Sequence, residues 1–241
     1  MLSKNDVKYI QSLYHKKQRQ QEGLFIAEGP KLISELLASK YIIQKIYAVA
    51  DWVKNNTAVK QPIVVVTNND LQRISNLQTP NQVLAIVQQQ LPITTPVFTN
   101  QLSIVVDGIQ DPGNLGTIIR NADWFGITQV ICSHNTAELY NPKVVQSTMG
   151  SFTRTSVWYT DLATVLANVQ VPIFGALLQG QSIYQVSKPT AGILVIGNEG
   201  NGISNALLPL ITNPITIPKI GGAESLNAAV AMGILVSHLV I

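Results

Sequence analysis

Five short apolar runs recur through the second half of the chain: Ser103–Asp107, Thr128–Ser133, Pro172–Leu177, Ile193–Gly197 and Pro214–Ile217. Longer segments separate them. Leu115, Ile118, Ile119 and Ala122 stand at i, i+3, i+4 and i+7 and predict a helix, Asn141–Gly150 predicts a second, and a last one is expected from Ser225. Parallel neighbours in a sheet need long crossovers, usually helical, so this alternation predicts an α/β domain with a mostly parallel sheet and helices on both faces. Ligands in such sheets bind beyond the carboxyl ends of the strands. The loops after Asp107, Gly197 and Ile217 are therefore the candidate site.

The front of the chain reads as a separate, smaller α/β sandwich. Leu24–Ala27, Ile42–Ala50, Ile63–Thr67 and Val83–Gln89 look like strands, and Pro30–Ala38 and Asn68–Leu77 like helices. An uncharged stretch with two prolines, 90–101, separates the halves. The expected division is a substrate-binding domain over 1–90, a linker over 91–101 and a second domain over 102–241.

Charge is unevenly shared. Of 16 Lys+Arg and 13 Asp+Glu, residues 1–95 hold 11 and 6 and residues 96–241 hold 5 and 7, so the net +3 divides as +5 and −2. Lys4, Lys8, Lys16, Lys17 and Arg19 crowd the start. Such a segment meets a polyanion, nucleic acid above all, or is a solvated helix face. With 46% apolar and 12% charged residues, the chain must bury much of itself or share a surface. The lone Cys132 excludes an internal disulfide and a cysteine zinc cluster, and His15, His134 and His238 have no ligand spacing, so no metal is expected. No apolar run is long enough for a membrane span and no signal-peptide core opens the chain, so a cytoplasmic protein is expected.

Each loop taken alone leaves two readings. In the first, Asn114 is placed to cap a helix, and Arg120 either offers a fork of donors to a phosphate or oxyanion, or pairs with Asp123 at i+3. In the second, Gly197-Asn-Glu-Gly-Asn-Gly202 brings backbone close to a ligand or is simply a turn, with Glu199 its one charge. Its spacing is neither that of a dinucleotide fold nor that of a P-loop, which argues against a Rossmann oxidoreductase. In the third, a Gly-Gly turn leads to Ser225, read as the cap of a helix so apolar that it is either a core helix or a subunit interface.

Together and in order, the three segments resemble the SpoU (TrmH) family of RNA ribose 2′-O-methyltransferases. The resemblance rests on Asn114 and Arg120, on Gly197, Glu199 and Gly202, and on Ile217, Pro218, Gly221, Ser225, Leu226 and Asn227. Gly23–Gly29 and the helix after it are similar to the family's N-terminal substrate-binding domain of the L30e/L7Ae type. The resemblance implies a trefoil-knotted α/β domain and a homodimer, and the apolar, small-residue surface from Ala228 to Val236 puts the expected interface on the C-terminal helix. It implies S-adenosylmethionine as cofactor, held by Leu177, Leu178, Gly197, Asn198, Gly202, Ile217, Pro218 and Leu226. It implies an RNA substrate, rRNA rather than tRNA, with Arg120, Asn114, Glu199, Ser225 and Asn227 as catalytic residues. A non-catalytic RNA-binding assembly factor is the alternative. Gln146-Ser-Thr-Met-Gly150 departs from the Arg-Ala-Ser-x-Gly of many relatives, and Asn227-Ala-Ala-Val230 from their Asn-Val-Ser-Val.

Overall fold

The computed structural model describes residues 2–92 and 94–241. Met1, at the start of the first predicted domain, and Ile93, in the predicted linker, lie outside the described residues. The chain divides into two compact units. One runs up to Gln90 and takes in Tyr140–Thr153; the other comprises Leu91–Leu139 and Arg154–Ile241.

In the first unit, α1 (Lys4–Ser12) and α2 (Lys16–Glu22) lead into β1 (Leu24–Glu28), α3 (Pro30–Leu37), β2 (Ile43–Ala48), α4 (Ala50–Asn55), β3 (Ile63–Val65), α5 (Asn68–Ile74) and β4 (Val83–Gln88). The sheet order is β1-β4-β2-β3, with β2 and β3 parallel and the other pairs antiparallel. Leu24 and Ile26 alternate with Phe25 across the sheet, as strand geometry requires. Leu24 and Ile26 pack in one cluster with Ile10 of α1, with Leu13 just after it, and with Leu71 and Ile74 of α5. Phe25 stacks with Tyr140 at 4.6 Å and meets Phe152 edge-on at 5.8 Å. Tyr140–Thr153, numbered within the second predicted domain, thus supplies rings that cover a strand buried along its whole length.

Two expectations change here. The strand predicted over Ile42–Ala50 stops at Ala48, and Ala50 opens α4. Arg19 does not belong to the exposed basic group: it is buried, and its Nη1 donates to the carbonyls of Leu13 and Tyr14 at 3.3 and 2.7 Å. A buried cation persists only where such acceptors meet it. Lys4, Lys8, Lys16 and Lys17 remain exposed.

The second unit begins with β5 (Leu102–Val106), α6 (Pro112–Trp124) and β6 (Gln129–Cys132). After α7 (Pro142–Thr148), which lies in the first unit and carries Gln146, come β7 (Ser156–Tyr159), α8 (Leu162–Leu166), β8 (Ile173–Ser182), β9 (Gly192–Ile196), β10 (Asn213–Thr216) and α9 (Ala228–Val240). The sheet order is β10-β8-β9-β5-β6-β7 and its paired strands are parallel. This is the expected α/β architecture, with β5 and β9 at its centre and Val105, Ile193 and Val195 fully buried. Short β7 and α8 escape the sequence pattern.

Both helix starts next to the site differ from expectation. Asp111 caps α6, its Oδ1 accepting from the Asn114 N–H at 2.9 Å, with Pro112 at the first helical position. Asn227 caps α9, its Oδ1 accepting from Ala229 and Val230 N–H at 3.0 and 3.3 Å. Neither Asn114 nor Ser225 is a cap. Nor is α9 buried all round: Ala229, Met232, Leu235 and Val236 face the core, whereas Val230 is 52% exposed.

Candidate active site

The first loop is sewn to the second. Asp107, at the end of β5, is buried, and its Oδ2 accepts from the Ser204 N–H at 2.8 Å. Asn198 Nδ2 donates to the Gly108 carbonyl at 2.7 Å. The second loop also holds itself shut. Asn198 and Gly202 exchange two backbone hydrogen bonds of 2.9 Å, and Asn198 Oδ1 accepts from the N–H groups of Gly200 and Asn201. The turn is tight enough that a Cβ on Gly197 would run into the Gly202 carbonyl and the Ile203 nitrogen. The residue type at 197 is thus dictated by the loop's own backbone, before any ligand is considered.

Freed from capping, Asn114 joins all three loops. Its Nδ2 donates to Glu199 Oε1 at 2.7 Å, and its Oδ1 accepts from Asn227 Nδ2 at 2.9 Å. Glu199 has a second, longer contact from Asn198 Nδ2 at 3.4 Å. Its carboxylate is held by neutral amides rather than by a cation, which fixes its position without cancelling its charge.

A cavity of about 1030 Å³ opens between the second and third loops and the end of β8. Leu177, Leu178, Gly197, Asn198, Gly202, Ile217, Pro218 and Leu226 all line it, as do Glu199 and Ser225. Leucine and isoleucine walls beside a glycine turn suit a flat heteroaromatic ring whose polar edge meets backbone N–H and C=O groups. Asn114 and Asn227 line an adjoining groove of about 650 Å³ between α6 and α9, with Thr117, Val230 and Gly233. Arg120 lines neither. It is exposed on α6 and makes no hydrogen bond or ion pair among the described residues. The pairing with Asp123 does not form, because Arg154 holds that carboxylate, with Nε at 3.1 Å and Nη2 at 2.8 Å.

Asp107 and Ser204 were not singled out from the sequence. The available signal was an acid directly after the apolar run Ile104–Val106, where it must find backbone donors. Among the described residues no group of three His, Cys, Asp or Glu could hold a metal ion, and no helix is long and apolar enough to cross a membrane. Cys132 is buried in β6, and burial pushes its thiol well above the ordinary range, so it offers no nucleophile.

Comparison with known proteins bears on this geometry. The SpoU rRNA Methylase family matches residues 101–237, and the MRM3-like substrate binding domain matches residues 4–85. The chain is 32% identical to the 23S rRNA (guanosine(2553)-2′-O)-methyltransferase RlmP of Bacillus subtilis, over 97% of this chain and 95% of that one. A TrmH-family protein from Porphyromonas gingivalis is 38% identical with a TM-score of 0.89, covering 99% of this chain and 98% of that one. An rRNA methyltransferase from Sinorhizobium meliloti, solved with AdoMet bound, is 26% identical with a TM-score of 0.87, covering 99% and 95%. With both halves matched, and with Asn114 joining the three loops beside the cavity, the chain belongs to the SpoU rRNA methylase family.

Proposed function

We propose that this protein transfers a methyl group from S-adenosylmethionine to a ribose 2′-hydroxyl of rRNA. The observation that carries this function is the junction at Asn114, which ties the three family segments together at the mouth of the apolar cavity. The cavity has the size and lining of a nucleoside pocket, and the exposed lysines of the first unit supply charge for the RNA backbone. Relatives that span both units carry rRNA in their names, which favours rRNA over tRNA. We further propose that it works in the cytoplasm, with the ribosome.

S-adenosylmethionine, when bound, would supply a methyl already activated by its sulfonium; the sulfur would leave as the neutral thioether and the hydroxyl proton would pass to solvent. The chain's own task is alignment and charge stabilisation. Leu177, Leu178, Ile217 and Leu226 form the apolar wall, and Gly197, Asn198, Gly202 and Pro218 present backbone to it. Glu199 and Ser225, with Asn114 and Asn227 beside them, offer polar groups that fix the ribose. A guanidinium offers five donors and no acceptor, so we assign Arg120 to the flanking phosphate and the forming alkoxide rather than to proton abstraction. Incubating the protein with methyl-labelled S-adenosylmethionine and unmodified rRNA is expected to give one alkali-resistant dinucleotide, since a 2′-O-methyl removes the nucleophile of alkaline cleavage. Label recovered on a base instead would defeat the proposal.

We also propose a homodimer through α9. The supports are the exposed apolar Val230 and the groove that it forms with α6, in a chain with few charges to solvate such a face. Ala229 is buried within its own unit, so a charge there would test folding rather than association. Val230→Lys would place an unpaired charge in the interface at a cost of several kcal/mol. Sedimentation velocity at micromolar concentration is expected to show a wild-type dimer and a folded monomeric variant. A wild-type monomer would end the proposal.

A further inference from the structure

The chain has three tryptophans, and they differ in environment. Trp52 is buried, at 4% exposure. Trp158 donates its indole N–H to the Thr94 carbonyl at 2.8 Å. Trp124, the last residue of α6, is 83% exposed and makes no hydrogen bond or ring contact among the described residues. Nothing in the fold needs it there. At 100° per residue it stands about 120–180° from Leu115, Ile118, Ile119 and Ala122, the buried stripe of α6.

Its face is shared by Thr117, about 20° away, and by one cation. Arg120 precedes it by one turn, about 40° away around the helix, and i,i+4 side chains are neighbours. Arg120 itself has no partner among the described residues. The acid nearest in sequence, Asp123, is engaged by the half-exposed Arg154. The same helix carries Asn114 in its first turn, in the junction of the three loops, about 15 Å along the axis from Trp124. An aromatic plate beside an unneutralised guanidinium, on a helix that starts at the reaction site, has the composition of a single-stranded nucleic-acid platform: the ring takes the face of a base, the cation its phosphate.

We propose that Trp124 stacks on an unpaired base of the RNA, with Arg120 on the adjoining phosphate, so that the outer face of α6 holds a nucleotide flanking the one to be methylated. The assignment rests on the methyltransferase function proposed above for its substrate class. It concerns a position that none of the three family segments contains. The guanidinium beside the ring suits a phosphate, so RNA is the occupant proposed.

The test uses the full chain and a fluorescein-labelled oligoadenylate, with an abasic oligomer of equal length as control. By anisotropy, Trp124→Ala should weaken oligoadenylate binding about 5- to 150-fold, the span of one base–aromatic stack, while abasic binding and the slope of log affinity against log salt stay unchanged. Trp124→Phe should restore most of the loss. Arg120→Ala should instead lower that slope by about 0.7. Wild-type affinity in Trp124→Ala, equal losses on the abasic strand, or no binding of oligoadenylate by the wild type would each overturn the proposal. So would a change in sedimentation in Trp124→Ala, which would assign the ring to contact between copies. Calorimetry with S-adenosylmethionine keeps the two proposals apart. If the wild type does not bind it yet Trp124 governs oligoadenylate affinity, the methyltransferase assignment fails and the platform stands.

Discussion

Arg120→Ala is expected to lower methyl transfer about 10²–10³-fold, roughly 3–4 kcal/mol, the usual result of removing one donor to a developing negative charge. Affinity for S-adenosylmethionine should be unchanged, because Arg120 does not line the cavity. Lysine keeps the charge but not the planar fork, so recovery of activity in Arg120→Lys would favour charge stabilisation over bidentate positioning. The location of Arg120 adds a stronger test. A side chain outside its own chain's cavity, on a helix that borders the proposed dimer groove, can serve a reaction centre if a second copy presents it. Arg120→Ala and Gly197→Val are then each inactive alone but damage different halves of one site. Random exchange of subunits makes about half the dimers mixed, each with one intact site, so a mixture should recover about a quarter of wild-type turnover. No recovery, after exchange has been verified by native mass spectrometry, would confine the site to one chain. Wild-type turnover in Arg120→Ala would remove it from catalysis altogether.

The strands and the three loops were legible because their signals are local. An apolar run such as Ile193–Ile196 that stops at glycine names both a buried strand and its ligand-facing end. The caps were legible too but misread. Asp111-Pro112 is the stronger helix start, since proline fits the first helical position, and it frees Asn114 for other partners. Asn227 touches the apolar run of α9 directly, whereas Ser225 is two residues removed. Other features lie beyond local reading. Asn114 meets Glu199 and Asn227 across 85 and 113 residues of chain, and no periodicity reports such pairs. Arg19 counts as surface charge in any composition, and only the fold shows it turned inward onto carbonyls. Phe25 gives no hint that its cover comes from Tyr140 and Phe152. The position of Arg120 is legible as a helix flank, but that it lines neither cavity is visible only in the fold.

Gly197→Ala should damage cofactor binding more than any other one-carbon change in the second loop, and the reason differs from the one that the sequence offers. From spacing alone, glycine at 197 lets a ligand approach. In the structure the first atom that a side chain would add meets the backbone of Gly202 and Ile203, inside the hairpin that Asn198 closes. Overpacking of this kind costs about 1–3 kcal/mol. If that cost falls on the closed loop, the population competent to bind drops about 5- to 150-fold, and apparent affinity drops with it. Gly200 is the matched control. A Cβ there has only Asn198 Oδ1 nearby, at 3.6 Å, so Gly200→Ala should bind as the wild type does. Calorimetry with S-adenosylmethionine reads the affinities, and thermal melting reads whether the cost is local or global. A loss in both variants would point to direct ligand contact along the whole loop. No loss in Gly197→Ala would show that the hairpin can open without consequence, and the second loop would then not be the rigid wall of the cofactor site.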